Sequence, residues 1–462
     1  MKNSRIMQAS FRDPGGFLFC RDGLLYRQIN TTCKQDYDLL MDSGLYKSLL
    51  EQELLIPHEE VDIAPAKPDN AYKIIKPQKI KFISYPYEWS FTQLKNAALT
   101  TLEIQKKALD FGMSLRDCSA YNIQFEKGKP VLIDTLSFEK YHEGQPWVAY
   151  KQFCQHFFAP LALMSSKDIR LNQLFRIYLD GIPLDMASSL LPYRTWLKFS
   201  MLSHIHLHAK SQKHYADKAV NATGRKMTLF AFKGIIDNLE SAIRKLSWKP
   251  RDTEWADYYQ DTNYSADSLG HKKKIVAQFL EQTNADSVWD IGANDGMFSR
   301  IAGDRGIWTG SFDIDPSAVE KNYLKITKNN ETNILPLLID ITNPGPGIGW
   351  ENEERTSLLQ RGPVDTVFAL ALIHHLAISN NLPFEKIADC FRKICNWLII
   401  EFVPKSDSQV KRLLSTREDI FPGYTQQGFE KAFGRYFEIQ KSAGIEKSER
   451  TLYLMRRNNI EI

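Results

Sequence analysis

Between Val288 and Val403 the sequence repeats one arrangement five times: an apolar run that ends in acidic or other polar residues. The runs are Val288-Trp-Asp290-Ile291, Gly310-Ser-Phe-Asp313-Ile-Asp315, Ile334-Leu-Pro-Leu-Leu-Ile-Asp340, Val364 through Ile373 leading into His374-His375, and Trp397-Leu-Ile-Ile-Glu401-Phe-Val403. Near-continuous apolar runs are what strands buried on both faces of a parallel sheet require. Joined by helices, they predict an α/β layer with polar groups gathered at one sheet edge, where open parallel sheets bind their ligands. Each carboxylate taken alone also reads as a helix N-cap or a turn residue. The ordered set points to one site.

The first run continues as Gly292-Ala-Asn294-Asp-Gly296, followed by an apolar-periodic stretch, residues 297–302, expected to be a helix. Glycine permits a tight turn and a close approach of backbone to ligand. A helix start adds free N–H groups. Strand, glycine turn and helix together predict a nucleotide-type pocket. Asp313 and Asp315 follow Asp290 by 23 and 25 residues. A carboxylate at that point accepts both ribose hydroxyls, and Asp340, ending the third run, suits an adenine amine. The dinucleotide spacing Gly-x-Gly-x-x-Gly is not met: counted from Gly292, its later positions are Asn294 and Met297.

On these residues the region from about 251 to 462 resembles class I S-adenosylmethionine-dependent methyltransferases. Their glycine motif, acid-x-Gly-x-Gly-x-Gly, is matched by Asp290, Gly292 and Gly296, with Asn294 in place of the middle glycine; asparagine tolerates positive φ better than most residues. The resemblance implies S-adenosylmethionine as cofactor, held by Asp290, Gly292, Asn294 and Gly296, with Asp313 on the ribose and Asp340 with Ile341 at the adenine. It also implies a Rossmann-like seven-stranded methyltransferase sheet closed by an antiparallel pair, for which residues 436–439 and 451–455 are the candidates. Methyl transfer to oxygen or nitrogen releases a proton, so His374 and His375 are the candidate catalytic bases; the competing expectation is that one packs and the other caps a helix. Glu401 is expected to orient substrate or to be structural. The Asn/Asp-Pro-Pro-aromatic signature of enzymes that methylate planar amino groups is absent, and residues 369–374 stand in its place.

The chain of 462 residues is long enough for two or three domains. Net charge is only +4, which gives no overall nucleic-acid footprint. The six cysteines include no C-x-x-C pair, which fits reduced thiols in a cytoplasmic protein. No run approaches a membrane span and the first residues lack a signal-peptide core, so no membrane partner is expected.

Three segments are expected: 1–145, an α+β region; 146–245, a helical extension with its best linker at about 209–227; and 246–462, the sheet-and-helix domain. In the first, residues 16–29 read as a hairpin turning at Asp22-Gly23, and 98–112 as a helix closed by Gly112. Asp117 and Asn122 stand five apart, and Asp134 follows twelve later, after a second hairpin at Lys127-Gly128. This spacing resembles the catalytic loop and metal strand of protein kinases and aminoglycoside-type phosphotransferases. The resemblance implies a kinase-like domain with Mg-ATP, Asp117 as base and Asn122 and Asp134 as metal ligands. Departures are Leu115 for the usual histidine, Thr135-Leu136 for Phe-Gly, only Gly15-Gly16 as a phosphate loop, and no clear strand lysine, with Arg27 or Lys73 the candidates.

Two further groups bear on function. Trp255, Tyr258, Tyr259 and Tyr264 are candidates for a lid or a packing stripe. His204, His206 and His208 would share a face on a strand but splay on the helix expected here. The whole chain also resembles bacterial methyltransferase-type proteins related to nodulation proteins, in stretches such as 84–90, 254–259 and 376–381; this implies a glycan or small-metabolite acceptor. Three functions are therefore compatible with the sequence: methyltransferase, phosphotransferase or bifunctional enzyme, and non-catalytic binding module.

Overall fold

A computed structural model describes residues 4–210, 226–250, 266–415 and 417–458. The chain divides into two compact units: residues 1–249 together with 347–356, and residues 250–346 together with 357–462. The helical segment expected at 146–245 falls within the first of these units. The expected linker lies largely outside the described residues, as do the four aromatic residues of the expected lid.

The first unit opens with an antiparallel sheet of five strands: β1 (Arg5–Ile6), β2 (Gly16–Arg21), β3 (Leu24–Asn30), β4 (His58–Glu60) and β5 (Ala71–Pro77), in the order β1-β2-β3-β5-β4. The β2–β3 turn has Asp22 at φ 51° and Gly23 at φ 77°, the left-handed pair a two-residue hairpin loop needs. Helices α1 (Lys34–Asp42) and α2 (Leu45–Glu51) lie between β3 and β4 in sequence. Helix α3 spans Phe91–Asp110 and starts seven residues before the expected one. Its start is set by a reciprocal cap: the Ser90 hydroxyl accepts from the Gln93 amide, and the Gln93 side chain accepts from the Ser90 amide.

After α3 come β6 (Met113–Leu115) paired with β9 (Phe138–Lys140), and the hairpin of β7 (Ile123–Glu126) and β8 (Lys129–Leu132). The hairpin turns on Lys127 and Gly128, both at positive φ. The helix Leu229–Lys245 docks on α3, with Lys106 bridging to Asp237 and Glu240. Residues 347–356 are tied into this unit as well: Arg12 pairs with Glu354 at 2.7 Å, the Tyr85 hydroxyl accepts from the Thr356 amide at 2.8 Å, and Arg355 lies 4.7 Å over the Tyr121 ring.

The second unit is built on a seven-stranded sheet: β10 (Ser287–Ile291), β11 (Trp308–Asp313), β12 (Ile334–Leu338), β13 (Val364–Ala369), β14 (Cys395–Phe402), β15 (Phe437–Gly444) and β16 (Thr451–Arg457). The order is β12-β11-β10-β13-β14-β16-β15. The first five strands in that order run parallel, and β16 is antiparallel to both of its neighbours. Val288, Phe368, Ile399 and Leu454, one from each of four strands, share a buried core with Val276 and Phe279 of the helix Ala266–Thr283. The chain starts at the middle of the sheet, moves out through β11 and β12, and returns to the other side at β13. The strand order therefore reverses at β10, whose carboxyl end carries the glycine turn, and such a reversal opens a crevice for ligand.

Two local expectations are corrected. The helix after the glycine turn begins at Ser299 rather than Met297, because Gly292, Asn294 and Gly296 all take positive φ and hold the intervening chain in turns. Strand β13 ends at Ala369 rather than Ile373, because Ala371 at φ 50° breaks the extended run. The chain then enters a wide helical turn, His375–Ser379.

Candidate functional site

The carboxyl edge of the second unit's sheet is assembled around the turn after β10. Gly292, Asn294 and Gly296 have φ of 78°, 51° and 79°, so asparagine does adopt the conformation of the glycine it replaces. A Cβ on Gly296 would lie 2.5 Å from the Asn322 side chain and 2.7 Å from Arg300. This glycine is required by packing of the turn onto the helix Pro316–Asn329, which carries Asn322.

Asp290 is part of the same support. It is buried, and its Oδ2 accepts from the Ser299 hydroxyl at 2.7 Å. Ser299 contacts the Ser311 hydroxyl at 2.8 Å, and Asn322 donates to Ser311 at 2.9 Å. Burial pushes the Asp290 carboxyl up to about 7, with the nearby Asp313 charge adding to the shift and the Ser299 hydrogen bond opposing it. Asp290 thus braces the glycine turn from below.

Asp313 ends β11 and closes the turn from the other side. Its Oδ2 accepts from the Asn294 amide at 2.7 Å and its Oδ1 from the Asp315 amide at 2.8 Å. These bonds hold both oxygens in fixed positions while leaving each with lone pairs. Burial pushes this carboxyl up to about 6 against the pull of those amides. Asp315 acts on the next element instead, where its Oδ1 accepts from the Ser317 amide at 2.7 Å and caps the helix that starts at Pro316.

Asp340 lies in the turn after β12, with Oδ1 accepting from the Thr342 amide and hydroxyl. Its second oxygen and Ile341 stand at the next strand end along the edge. Asp295 adds a buried Oδ1 with no hydrogen-bond partner. The acceptor set fits a nucleoside: a fixed carboxylate to accept from a diol, a second one strand away to accept from an amine, and backbone held in turns between them.

Beyond β13 stand the two histidines. His374 is fully buried and neither ring nitrogen has a hydrogen-bond partner. Its ring lies 4.1 Å from that of His375. Burial, with His375, Arg450 and Lys272 nearby, holds His374 well below the ordinary range, and burial takes His375 down to about 4. The same burial that lowers both rings favours their neutral forms.

The buried charges behind this edge were not legible in the sequence. Glu401, near the end of β14, pairs with Lys272 at 2.6 Å and accepts from the Ala371 amide at 2.7 Å. Arg450 stands 3.7 Å from Glu401 and is bidentate to Asp407 at 2.7 and 3.0 Å. Lys272 is 2% exposed although it comes from the run His271-Lys-Lys-Lys274, which reads as a solvated face. The expectation that Glu401 is structural describes its contacts: it fixes the left-handed Ala371 and with it the approach to His374.

In the first unit, Asp117 and Asn122 come together, Asn122 donating to Asp117 at 3.0 Å. Asp117 also accepts from Gln152 at 2.8 Å and from the Ser119 amide at 2.9 Å, and burial raises its carboxyl above the ordinary range, with Asp134 adding to the effect. Asp134 accepts from the Ser137 hydroxyl at 3.0 Å, and Ser137 lies 3.5 Å from Asn122. Of the two candidate strand cations, Arg27 reaches this group, 2.5 Å from Asp134 and 2.9 Å from Asp13; Lys73 pairs with Glu60 instead. Among the described residues no group of three or more His, Cys, Asp or Glu is placed to hold a metal ion. His204, His206 and His208 splay as a helical segment dictates. His204 bonds Tyr150 and Asn238, His206 bonds Ser188 and Thr195, and His208 stacks on Tyr150.

The full length of the chain has a relative. It is 33% identical to nodulation protein NoeA of Rhizobium meliloti over 97% of this chain and 95% of that protein. The chain belongs to the NoeA family. No family model matches it. Among solved structures, magnesium protoporphyrin IX methyltransferase from Synechocystis is similar over 44% of this NoeA-family chain and 92% of its own, with 18% identity and a TM-score of 0.32. The N-methyltransferase NodS from Bradyrhizobium japonicum is similar over 42% of this chain and 98% of its own, at 10% identity and a TM-score of 0.31. The bifunctional kinase-methyltransferase WbdD is similar over 45% of this chain and 43% of its own, at 13% identity and a TM-score of 0.31. At such scores the activity has to be argued from the chain's own residues.

Proposed function

We propose that this NoeA-family protein is an S-adenosylmethionine-dependent methyltransferase acting on a small-molecule or glycan acceptor. The observation that carries the reading is Asp313, fixed by two backbone amides at the tip of the strand next to the reversal point, beside a turn with three positive φ values. Asp313 accepts the ribose hydroxyls, Asp340 accepts the adenine amine beside Ile341, and Asp290 with Gly292, Asn294 and Gly296 holds the turn. The cofactor, when bound, supplies an electrophilic sulfonium methyl. The chain's part is to hold the acceptor in line and exclude water. His375, only partly buried, offers the ring nitrogen that accepts a hydrogen bond from an acceptor hydroxyl or amine, and the fully buried His374 packs against its ring. Calorimetric titration of the full chain with S-adenosylmethionine should show one site per chain. An absence of heat and of competition by S-adenosylhomocysteine would leave a non-catalytic module as the better description.

For the first unit a kinase-like scaffold is the supported second reading. In its support, Arg27 of the third strand, one of the two candidates for a kinase's strand lysine, pairs with Asp134, which reaches Asn122 and Asp117 through Ser137. Arg27 already neutralises Asp134, which should disfavour a divalent ion there. Thermal-shift titration with Mg-ATP should therefore move the melting temperature of the wild type little, and Arg27→Ala should increase the magnesium-dependent shift. A large shift in the wild type that Asp134→Asn abolishes would instead restore phosphotransfer as a function of this unit.

A further inference from the structure

The three most exposed large apolar side chains among the described residues lie in one region of the first unit: Tyr193 at 92%, Leu197 at 90% and Phe230 at 88%. Phe199 and Leu207 are exposed with them. The elements that carry them are neighbours. The short helix Tyr193–Leu197 packs on Phe199–Met201, which in turn packs on the helix Leu229–Lys245.

This region buries polar rings beside Met201, Ile205 and Phe232 while leaving large apolar groups outside. His204 and His206 are buried and hydrogen-bonded on both ring nitrogens, while tyrosine, leucine and phenylalanine face outward. A buried polar group or an exposed apolar cluster is the informative departure from ordinary burial.

The charge carried by these stretches is of one sign. Neither 186–210 nor 226–236 contains a single Asp or Glu, yet together they carry Arg194, Lys198, Lys210, Lys226 and Lys233. These two stretches hold more positive charge than the net +4 of the whole chain, which is how a near-neutral total conceals a basic face. Lys233 pairs with Asp110, and the first carboxylate further along its helix, Asp237, is paired with Lys106. Arg194, Lys198, Lys210 and Lys226 form no ion pair among the described residues; Lys210 lies 4.8 Å over the Trp196 ring.

We propose that this face docks the protein on an anionic lipid surface. Exposed aromatic and leucine side chains next to uncompensated Lys and Arg are the composition of an interfacial anchor, the apolar groups entering the headgroup region and the cations meeting lipid phosphates. The sequence expectation of no membrane partner rested on the lack of a spanning run. No helix among the described residues is long and apolar enough to cross a membrane, and surface docking needs none. A second copy of the chain is a poorer occupant, because the two faces would meet with like charge. A nucleic acid would stack on Tyr193, Phe199 and Phe230 but gains nothing from Leu197 and Leu207, whose exposure only an apolar phase rewards.

The test is co-sedimentation of the full chain with vesicles of phosphatidylcholine alone and of phosphatidylcholine mixed with phosphatidylglycerol. Binding is expected to the mixed vesicles, to weaken with added salt, and to be slight on the neutral ones. Arg194→Ser with Lys198→Ser should weaken it roughly 25-fold, at about five-fold for each charge near the surface. Leu197→Glu with Phe199→Glu should abolish it, with the melting temperature and S-adenosylmethionine titration of both variants as the check that they remain folded. The proposal is overturned if folded wild type does not bind the anionic vesicles at low salt, or if it binds and neither pair of substitutions changes that binding. It is equally overturned if light scattering shows a dimer that Leu197→Glu with Phe199→Glu dissociates, or if a single-stranded oligonucleotide displaces the vesicles in proportion to its binding.

Discussion

Lys272→Met is expected to cost about 3–5 kcal/mol of unfolding free energy, read from denaturant melts of the full chain. Glu401 would lose its cationic partner at 2.6 Å inside the second unit. Arg450, at 3.7 Å, is already committed to Asp407. The penalty comes from leaving a charge buried without its partner, so Lys272→Met combined with Glu401→Leu should recover much of the loss. Additive costs in the double variant would show that the two side chains do not act as a pair. The same change should reach the site, because Glu401 also holds the Ala371 amide, and Ala371 sets the turn that places His374.

Asp313→Ala should weaken S-adenosylmethionine binding by about 1.5–3 kcal/mol, since it removes a charged acceptor of two hydroxyls. That is roughly a ten- to hundred-fold rise in Kd by calorimetry. Binding to the wild type should also weaken as pH falls through about 6, where burial places the proton uptake of this carboxyl in the ligand-free protein. The protonated group cannot accept both hydroxyls. The effect on folding has the opposite sign. The folded ligand-free chain holds this proton more tightly than the unfolded chain, so its contribution to stability is present at low pH and is lost as pH rises through about 6. An unchanged Kd for Asp313→Ala, or a flat pH dependence, would show that the ribose does not sit on this residue.

The second unit was legible in the sequence because its strands are buried on both faces and therefore read as unbroken apolar runs. The five strands from Val288 to Val403 and the antiparallel pair at the end stand where the pattern puts them. Asn294 was also readable, because asparagine tolerates the left-handed conformation that its φ of 51° requires better than most residues. The boundaries were less so: Ile373 looks like the end of a strand, and only the left-handed Ala371 shows that the strand has already stopped.

Polar residues that act through burial were the least visible. Ser299, Ser311 and Asn322 support Asp290 from three different elements, and their spacing in sequence follows no period. Lys272 is indistinguishable by type from Lys273 and Lys274, and only its place on the helix face decides that it is buried. In the first unit Asn122 bonds Asp117 directly, and Asp134 joins them through Ser137, which no spacing in the sequence singles out. Arg27 was only one of two guesses, because strand pairing over long separations decides which cation arrives.

The excursion of residues 347–356 into the first unit changes what it means to cut this protein in two. The backbone passes between the units three times, near residues 249, 346 and 356. A single nick beside Lys249 therefore severs only one of the three crossings. The downstream fragment still threads residues 347–356 through the first unit, and the two pieces should co-purify on that anchorage alone. A fragment that begins at residue 246 carries Glu354, Arg355 and Thr356 away from Arg12, Tyr121 and Tyr85. The two units are interleaved in one chain, and neither can be copied out as an uninterrupted piece of sequence.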